Sequence, residues 1–291
     1  MTHVEAEIAT QPAAWTRAAS LDLRPLPRRG QRVAVVGCGT SWFMAMAYAA
    51  RRESLGHGET DAFQASEFPR GRDYDLVVAI SRSGTTTEVI DLLAALSGPS
   101  LAIVGDPTGA AASAAGAVLA MPFADERSVV QTRFATSALA LLRAGLGEDV
   151  SALAEDAQRA LDAPLPLDPA AIEQVTFVGQ GWTVGLAHEA ALKCRETAAF
   201  WTEAHPAMDY RHGPIAIAAP GRAVWSFGPP PPGLAGEVSA TGARFVGESA
   251  TLDPMAELIR AQRFAVALAQ HRGLDPDAPR NLTRSVVLDP R

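Results

Sequence analysis

The segment His188–Pro214, HEAALKCRETAAFWTEAHPAMDYRHGP, concentrates the residue types that move protons. Glu189, Lys193 and Glu196 fall at i, i+4 and i+7, which puts two carboxylates and an ammonium on one helical face. Such a face is general acid–base material, and its plainer reading is a solvated salt-bridge stripe. His212 precedes Gly213 and Pro214, which fix a turn, and a histidine there is structural or catalytic. A second stretch, Val77–Leu93 (VVAISRSGTTTEVIDLL), sets Ser81, Ser83, Gly84, Thr85, Thr86 and Thr87 between an apolar run and an amphipathic one. A strand, a small-residue loop and a helix start together aim orphan N–H groups, hydroxyls and the helix dipole at one spot, which makes an anion site. A solvated Ser/Thr turn with an N-cap has the same composition.

The elements that must position these residues follow from periodicity. Val77–Ile80 is short, β-branched and bounded by turn residues, so a buried strand is expected, followed by a helix over 87–97 capped by Thr85 or Thr86. The same grammar occurs twice. Val33–Val36 is a strand, Gly37–Ser41 a glycine turn and Trp42–Leu55 a helix; Val175–Val178, Gly179–Thr183 and Val184–Phe200 repeat the order 142 positions later. That offset points to an internal duplication, each half about one ordinary domain in size. Strand segments at Phe63–Phe68 (FQASEF) and Ser100–Asp106, then a helix near Gln131–Leu146, complete the first half. A strand at Arg222–Gly228, a helix over Leu234–Thr241, a strand segment at Ala243–Ser249 and a helix over Met255–His271 complete the second. Alternating strands and helices make an α/β protein of two tandem domains, each a parallel sheet flanked by helices in a flavodoxin-like three-layer arrangement. A helix over Ser151–Leu161 and the Pro-rich run Asp162–Pro169 join the halves, and Gly228–Gly233 (GPPPPG) is a rigid surface loop.

At 291 residues, with 48% hydrophobic and 20% charged, the chain has material for two packed cores. A net charge of −7 argues against nucleic acid as a partner, because a polyanion needs a basic face. It leaves room for a small phosphorylated ligand held by N–H groups and hydroxyls. Cys38 and Cys194, far apart in apolar segments, form neither a disulfide framework nor a metal cluster, which suits a reducing cytoplasm. The first residues, MTHVEAEIATQPAAW, carry glutamates and no apolar signal core, and no run is long and apolar enough to span a membrane. GCGTS lacks the third glycine of a dinucleotide fingerprint and SRSGTTTE lacks the Gly-Lys-Ser/Thr of a P-loop, so nicotinamide and ATP sites are not expected.

Beyond single motifs, the chain resembles the sugar isomerase (SIS) double-domain family, in particular the isomerase half of glucosamine-6-phosphate synthases. EIATQP (Glu7–Pro12), GCGTS, ASEF (Ala65–Phe68), SRSGTT, SVVQTRF (Ser128–Phe134), EAALKCRE, EAHPAMDYRHGP and DPDAPRNLTRSV (Asp275–Val286) follow in the family's order, from about residue 4 to 288. The resemblance implies domain boundaries at 1–20 (helical segment), 21–150 (phosphate-binding domain), 151–169 (joint) and 170–291 (catalytic helix and tail). It assigns Thr40, Ser41, Ser81, Arg82, Ser83 and Thr86 to the phosphate of a hexose 6-phosphate. Glu196 matches the base that moves a proton between C1 and C2, and His212 matches the ring-opening histidine, which the family delivers from a neighbouring subunit. Glu189, Lys193, the backbone of Ser128 and Val129, and Arg284 fall at positions around the sugar. No cofactor or metal is implied, and a homodimer sharing its pocket is.

Three departures bear on chemistry. The glutaminase half is not present here, and Thr2 stands where its nucleophilic cysteine would follow the initiator methionine. The family's Schiff-base lysine falls at Arg284, and a guanidinium cannot act as an amine nucleophile. Arg82 and Thr85 replace a more usual Gln and Glu, so a more cationic phosphate loop is expected. Without an imine lysine, what remains is removal of the C2 proton next to a carbonyl. Reprotonation at C1 makes an isomerase, or a deaminase when a free 2-amino group leaves as ammonia. Expulsion of the C3 hydroxyl makes a dehydratase or lyase of an N-acetylated sugar phosphate. Deglycation of a sugar-phosphate–amine adduct and non-catalytic sensing of a sugar phosphate are the other readings.

Overall fold

A computed structural model of the chain describes residues 1–247 and 251–288. Its helices are α1 (His3–Ala9), α2 (Gln11–Ala19), α3 (Thr40–Ser54), α4 (Thr87–Ala95), α5 (Ala110–Ala114), α6 (Arg133–Gly145), α7 (Val150–Asp162), α8 (Thr183–Ala198), α9 (Leu234–Ala240) and α10 (Pro254–His271). Its strands are β1 (Val33–Gly37), β2 (Thr60–Gln64), β3 (Leu76–Ser81), β4 (Ser100–Val104), β5 (Ala117–Ala120), β6 (Gln174–Gly179), β7 (Thr202–Pro206), β8 (Arg222–Phe227) and β9 (Arg244–Val246). Contacts divide the chain into two compact units. One comprises Ala13–Ser151 with Thr283 onward, the other Met1–Pro12 with Ala152–Leu282. The tail from Thr283 thus groups with the first half, where the resemblance had placed it with the second.

In the first unit five parallel strands run in the order β2-β1-β3-β4-β5. β1 and β4 are buried along their whole lengths, as strands covered on both faces must be, and their β-branched, nearly continuous apolar runs follow from that. Alternate residues Ala34, Val36, Val77, Ala79, Ala102 and Val104 pack on Val89, Leu92 and Leu93 of α4. Truncating Leu92 there costs about 2–5 kcal/mol. The expected strand over Phe63–Phe68 ends at Gln64, and Ala65–Glu67 turn into a 3-10 helix that turns Phe68 into the same core.

The second unit has four parallel strands in the order β7-β6-β8-β9. β7 was not expected. TEAHP is a half-buried edge strand, paired on one side only, so it lacks the apolar signature of its neighbours. β9 keeps the core of the Ala243–Ser249 segment, whose last two residues lie outside the described ones. α1 starts on a capping box: Thr2 Oγ1 accepts from the Glu5 amide while the Glu5 carboxylate accepts from the Thr2 amide at 2.7 Å.

Both sheets use the same close approach of strand to helix. A Cβ on Gly37 would lie 2.7 Å from Ser41, and one on Gly179 would lie 2.5 Å from Thr183, so each first glycine lets its helix start against the strand end. The second glycines, Gly39 and Gly181, both adopt φ of +54°. In each sheet the strand order reverses between the glycine-turn strand (β1 or β6) and its central neighbour (β3 or β8). That reversal opens the crevice at the strands' C-terminal ends where α/β sheets bind ligands.

Candidate active-site segments

In the first unit the crevice is lined by the turns after β1 and β3, which are adjacent because those strands pair directly. Thr40 and Ser41 open α3 and are buried. Ser81 ends β3, and among the described residues its buried Oγ finds no hydrogen-bond partner. Ser83 Oγ accepts from the Thr85 amide at 3.2 Å and from Thr85 Oγ1 at 2.9 Å, which folds the turn back on itself. Thr86 is the N-cap of α4, as expected, but its side chain makes no cap bond. The helix N-terminus meets the chain's own tail instead. The Thr87 amide donates to Val286 O at 3.2 Å, Leu288 N donates to Thr87 Oγ1 at 2.9 Å, and Thr85 Oγ1 lies 2.8 Å from Ser285 Oγ.

Two arginines do not go where the sequence sends them. Arg82 brings no charge to the mouth of the turn: its guanidinium is buried and donates to the carbonyls of Ser128, Val129 and Arg284. A planar, delocalised fork can reach carbonyls on two separate segments at once. Arg284 spends its own guanidinium on the Asp125 carboxylate and on Glu126 O. The carbonyls of Ser128 and Val129, expected to face a sugar, are therefore already acceptors. Ser128 Oγ donates to Val130 O.

In the second unit α8 brings Glu189, Lys193 and Glu196 together. Its Ala-, Leu-, Glu- and Lys-rich sequence is strongly helix-forming, and α10 packs against it. The solvated-stripe reading fails here. Lys193 and Glu189 have side chains only 1% exposed, and Glu196 is 18% exposed. Lys193 Nζ lies 2.5 Å from Glu196 Oε2 and 3.3 Å from Glu189 Oε1. Burial alone would pull the ammonium down; the two carboxylates outweigh it and hold its pKa above the usual lysine value. Thr197 Oγ1 donates both to Lys193 O and to Ala265 O of α10, fixing the last turn of the helix. His212 closes the 3-10 turn Asp209–His212 and is exposed, and Gly213 after it adopts φ of +145°, a conformation reserved for glycine.

One decisive signal was in the sequence and is easily passed over: Lys193 is the sole lysine of the 291 residues. A buried ammonium held between two carboxylates is no amine nucleophile. The two thiols are equally unsuited, since burial pushes Cys38 up to about 11 and Cys194 up to about 12. Among the described residues no cluster of His, Cys, Asp and Glu has the geometry to hold a metal ion, and no helix is long and apolar enough to cross a membrane.

The chain is similar to known proteins in sequence and in fold. Residues 28–144 match the profile of the SIS domain. The glutamine–fructose-6-phosphate aminotransferase (isomerizing) of Methanothermobacter thermautotrophicus is 28% identical over 89% of this chain and 52% of its own length. The enzyme of the same name from Bacillus subtilis is 26% identical over 92% of this chain and 53% of its length. The chain thus spans about half the length of the curated relatives it matches. Among solved structures, a glucosamine-6-phosphate deaminase from Thermotoga maritima superposes with a TM-score of 0.84 over 99% of this chain and 100% of that one, at 24% identity. A tagatose-6-phosphate ketose/aldose isomerase from Escherichia coli gives 0.80 over 99% and 97%, at 20% identity. At those identities the likeness establishes the fold. Residues 28–144 thus match the SIS domain profile, and the chain as a whole has the two-sheet fold of these solved structures.

Proposed function

We propose that this chain is an enzyme of amino-sugar 6-phosphates that moves the C2 proton and releases ammonia, an isomerase/deaminase, working as a cytoplasmic homodimer. The reading is supported above all by α8, where the chain's sole lysine is a buried ammonium that pins Glu196, the one carboxylate of its pair that reaches solvent. A carboxylate is a weak base toward a carbon acid, so orientation must supply much of the rate. Lys193 fixes Glu196 in place, and Glu189 balances the buried charge.

In the proposed sequence His212 opens the ring and exposes the C1 aldehyde. Glu196 takes the C2 proton, and the electron pair delocalises into the C1 carbonyl to give an enolamine. Return of the proton to C1 leaves an imine at C2, which one water hydrolyses to the ketose with loss of ammonia. Every step proceeds without an imine between enzyme and sugar, in keeping with an arginine at position 284 and no available lysine. The hydroxyls of Ser41, Ser81, Ser83 and Thr86, with Thr40 beside them, would hold the phosphate, and the orphan Ser81 Oγ favours that assignment. The outward position of His212 suits delivery to a partner's pocket.

Incubation with glucosamine 6-phosphate and N-acetylglucosamine 6-phosphate, followed by mass spectrometry, tests the reading. Ammonia and a hexulose 6-phosphate are expected from the free amine, with no change in the acetylated sugar. Loss of water from the acetylated sugar alone would replace the deaminase with a dehydratase, and binding of both without any change in mass would contradict it.

A further inference from the structure

Arg82 sits inside the hydroxyl turn, yet the residue is only 2% exposed. Nη1 donates to Ser128 O at 2.7 Å and Val129 O at 3.2 Å, and Nη2 donates to Arg284 O at 2.6 Å. Its own carbonyl accepts from the amides of Gly105 and Asp106, both at 3.0 Å, so its backbone is fastened to the turn after β4. Arg284 continues the chain of contacts from the other side, its guanidinium gripping both Asp125 carboxylate oxygens at 2.6 and 2.8 Å and the carbonyl of Glu126. The buried Glu126 carboxylate then accepts from the amides of Thr132 at 2.6 Å, Arg133 at 2.8 Å and Phe134 at 3.3 Å. It thereby caps α6 from outside and closes the neck of the loop that carries Ser128 and Val129.

We infer that Arg82 is a positioning residue and not an anion ligand: its fork fastens the Ser128–Val129 loop and the Arg284–Leu288 tail to the hydroxyl turn, so that the three segments take their places together. The planar guanidinium is what permits this. It reaches carbonyls on two separate segments at once, where lysine offers a single charged point and glutamine a single amide nitrogen. In this arrangement Arg284, at the position the resemblance gives to an imine lysine, anchors the tail through Asp125. The assignment of the turn to a phosphate rests on the function proposed above; the fastening itself does not.

Amide exchange in the full chain separates the two. Thr87 and Leu288 report tail docking, Thr132 reports the loop neck, and Val175–Val178 of β6 serve as the reference. Arg82→Lys and Arg82→Gln are both expected to speed exchange at the tail and loop reporters together, by about tenfold or more, with the reference unchanged. Asp125→Asn is expected to speed the tail reporters alone. Titration with glucosamine 6-phosphate should then show both Arg82 variants weakened, the lysine variant no better than the glutamine. Wild-type exchange in Arg82→Lys, with sugar-phosphate affinity kept by lysine and lost by glutamine, would make Arg82 an anion ligand and overturn the inference. Unchanged exchange at the tail and loop reporters in both Arg82 variants would overturn it too; if neither variant folds, the guanidinium resonances of Arg82 in the wild type decide, and a shift in them on adding inorganic phosphate would overturn the inference. Should the wild type bind no sugar phosphate, the proposed function falls while the exchange pattern still judges the clamp.

Discussion

The turn after β3 and the turn after β8 leave the same place in their respective sheets, the central strand next to the order reversal, and they are built for opposite ends. Ser81–Thr87 carries five hydroxyls and a full set of backbone donors. Gly228–Gly233 carries four prolines, which have no N–H to offer and no hydroxyl, and its own glycines adopt φ of +78° and +83° merely to turn the chain. The helices after the glycine turns differ in the reverse sense. Arg51 of α3 and Lys193 of α8 are related by the 142-residue offset. Arg51 pairs with Glu148 beyond α6, while Lys193 pairs with two carboxylates of its own helix. One half carries a hydroxyl-rich turn and an ion pair between segments; the other carries a proline turn and a buried Glu–Lys–Glu face, and the function proposed above assigns the phosphate to the first and the proton to the second.

The largest expected effect tests the second half. Glu196→Gln should lower turnover by about 10²–10⁴-fold while glucosamine 6-phosphate still binds, measured by ammonia release against calorimetry. Lys193→Met comes next. Removing the cation strands the buried Glu189 carboxylate and leaves Glu196 beside it without its partner, and about 3–5 kcal/mol of stability should be lost at pH 7, measured by urea unfolding. Because the Lys193 pKa is raised, its contribution is complete below the ordinary lysine value of 10.5 and fades only as pH climbs through the higher folded value.

Glu148→Gln makes the contrasting change in the first half. Burial alone would push this carboxyl up, but the Arg51 and Arg143 guanidiniums outweigh it and hold it below the ordinary 4.5. Its contribution is therefore present above about pH 4.5 and is lost as pH falls through the lower folded value. The variant should lose about 1–3 kcal/mol at pH 7 and flatten the acid limb of the stability profile, with turnover per folded molecule unchanged. Ser81→Ala should raise KM for the sugar phosphate by roughly 5- to 30-fold, at about 1–2 kcal/mol for one hydroxyl on a charged acceptor. Pro229→Ala, in the corresponding turn of the other sheet, should change KM by less than about twofold. Equal effects of the last two would erase the contrast between the turns.

Much of this was legible in the sequence, for physical reasons that also mark where legibility stops. β1, β3, β4, β6 and β8 announce themselves because strands buried on both faces must be continuously apolar. β7 hides because an edge strand with Glu203 and His205 obeys no such rule. The spacing of Glu189, Lys193 and Glu196 fixes one helical face, but whether water reaches it depends on α10, more than fifty residues on. A solvated stripe and a buried triad share one local pattern. Arg82 fails for the same reason: a cation in a hydroxyl turn looks like an anion ligand until the carbonyls of residues 128, 129 and 284 arrive from elsewhere in the unit.

The central claim is that a single carboxylate removes the C2 proton with no imine between enzyme and sugar. Incubating glucosamine 6-phosphate labelled with deuterium at C2 in ordinary water, and following the label by NMR in the wild type and in Glu196→Gln, tests it most directly. The account predicts that label leaves C2 only through the wild-type enzyme, that the sugar is never trapped on protein by borohydride, and that Glu196→Gln keeps the label in place while still binding. Loss of label at the wild-type rate in Glu196→Gln, or a borohydride-stable sugar adduct on Lys193, would contradict it.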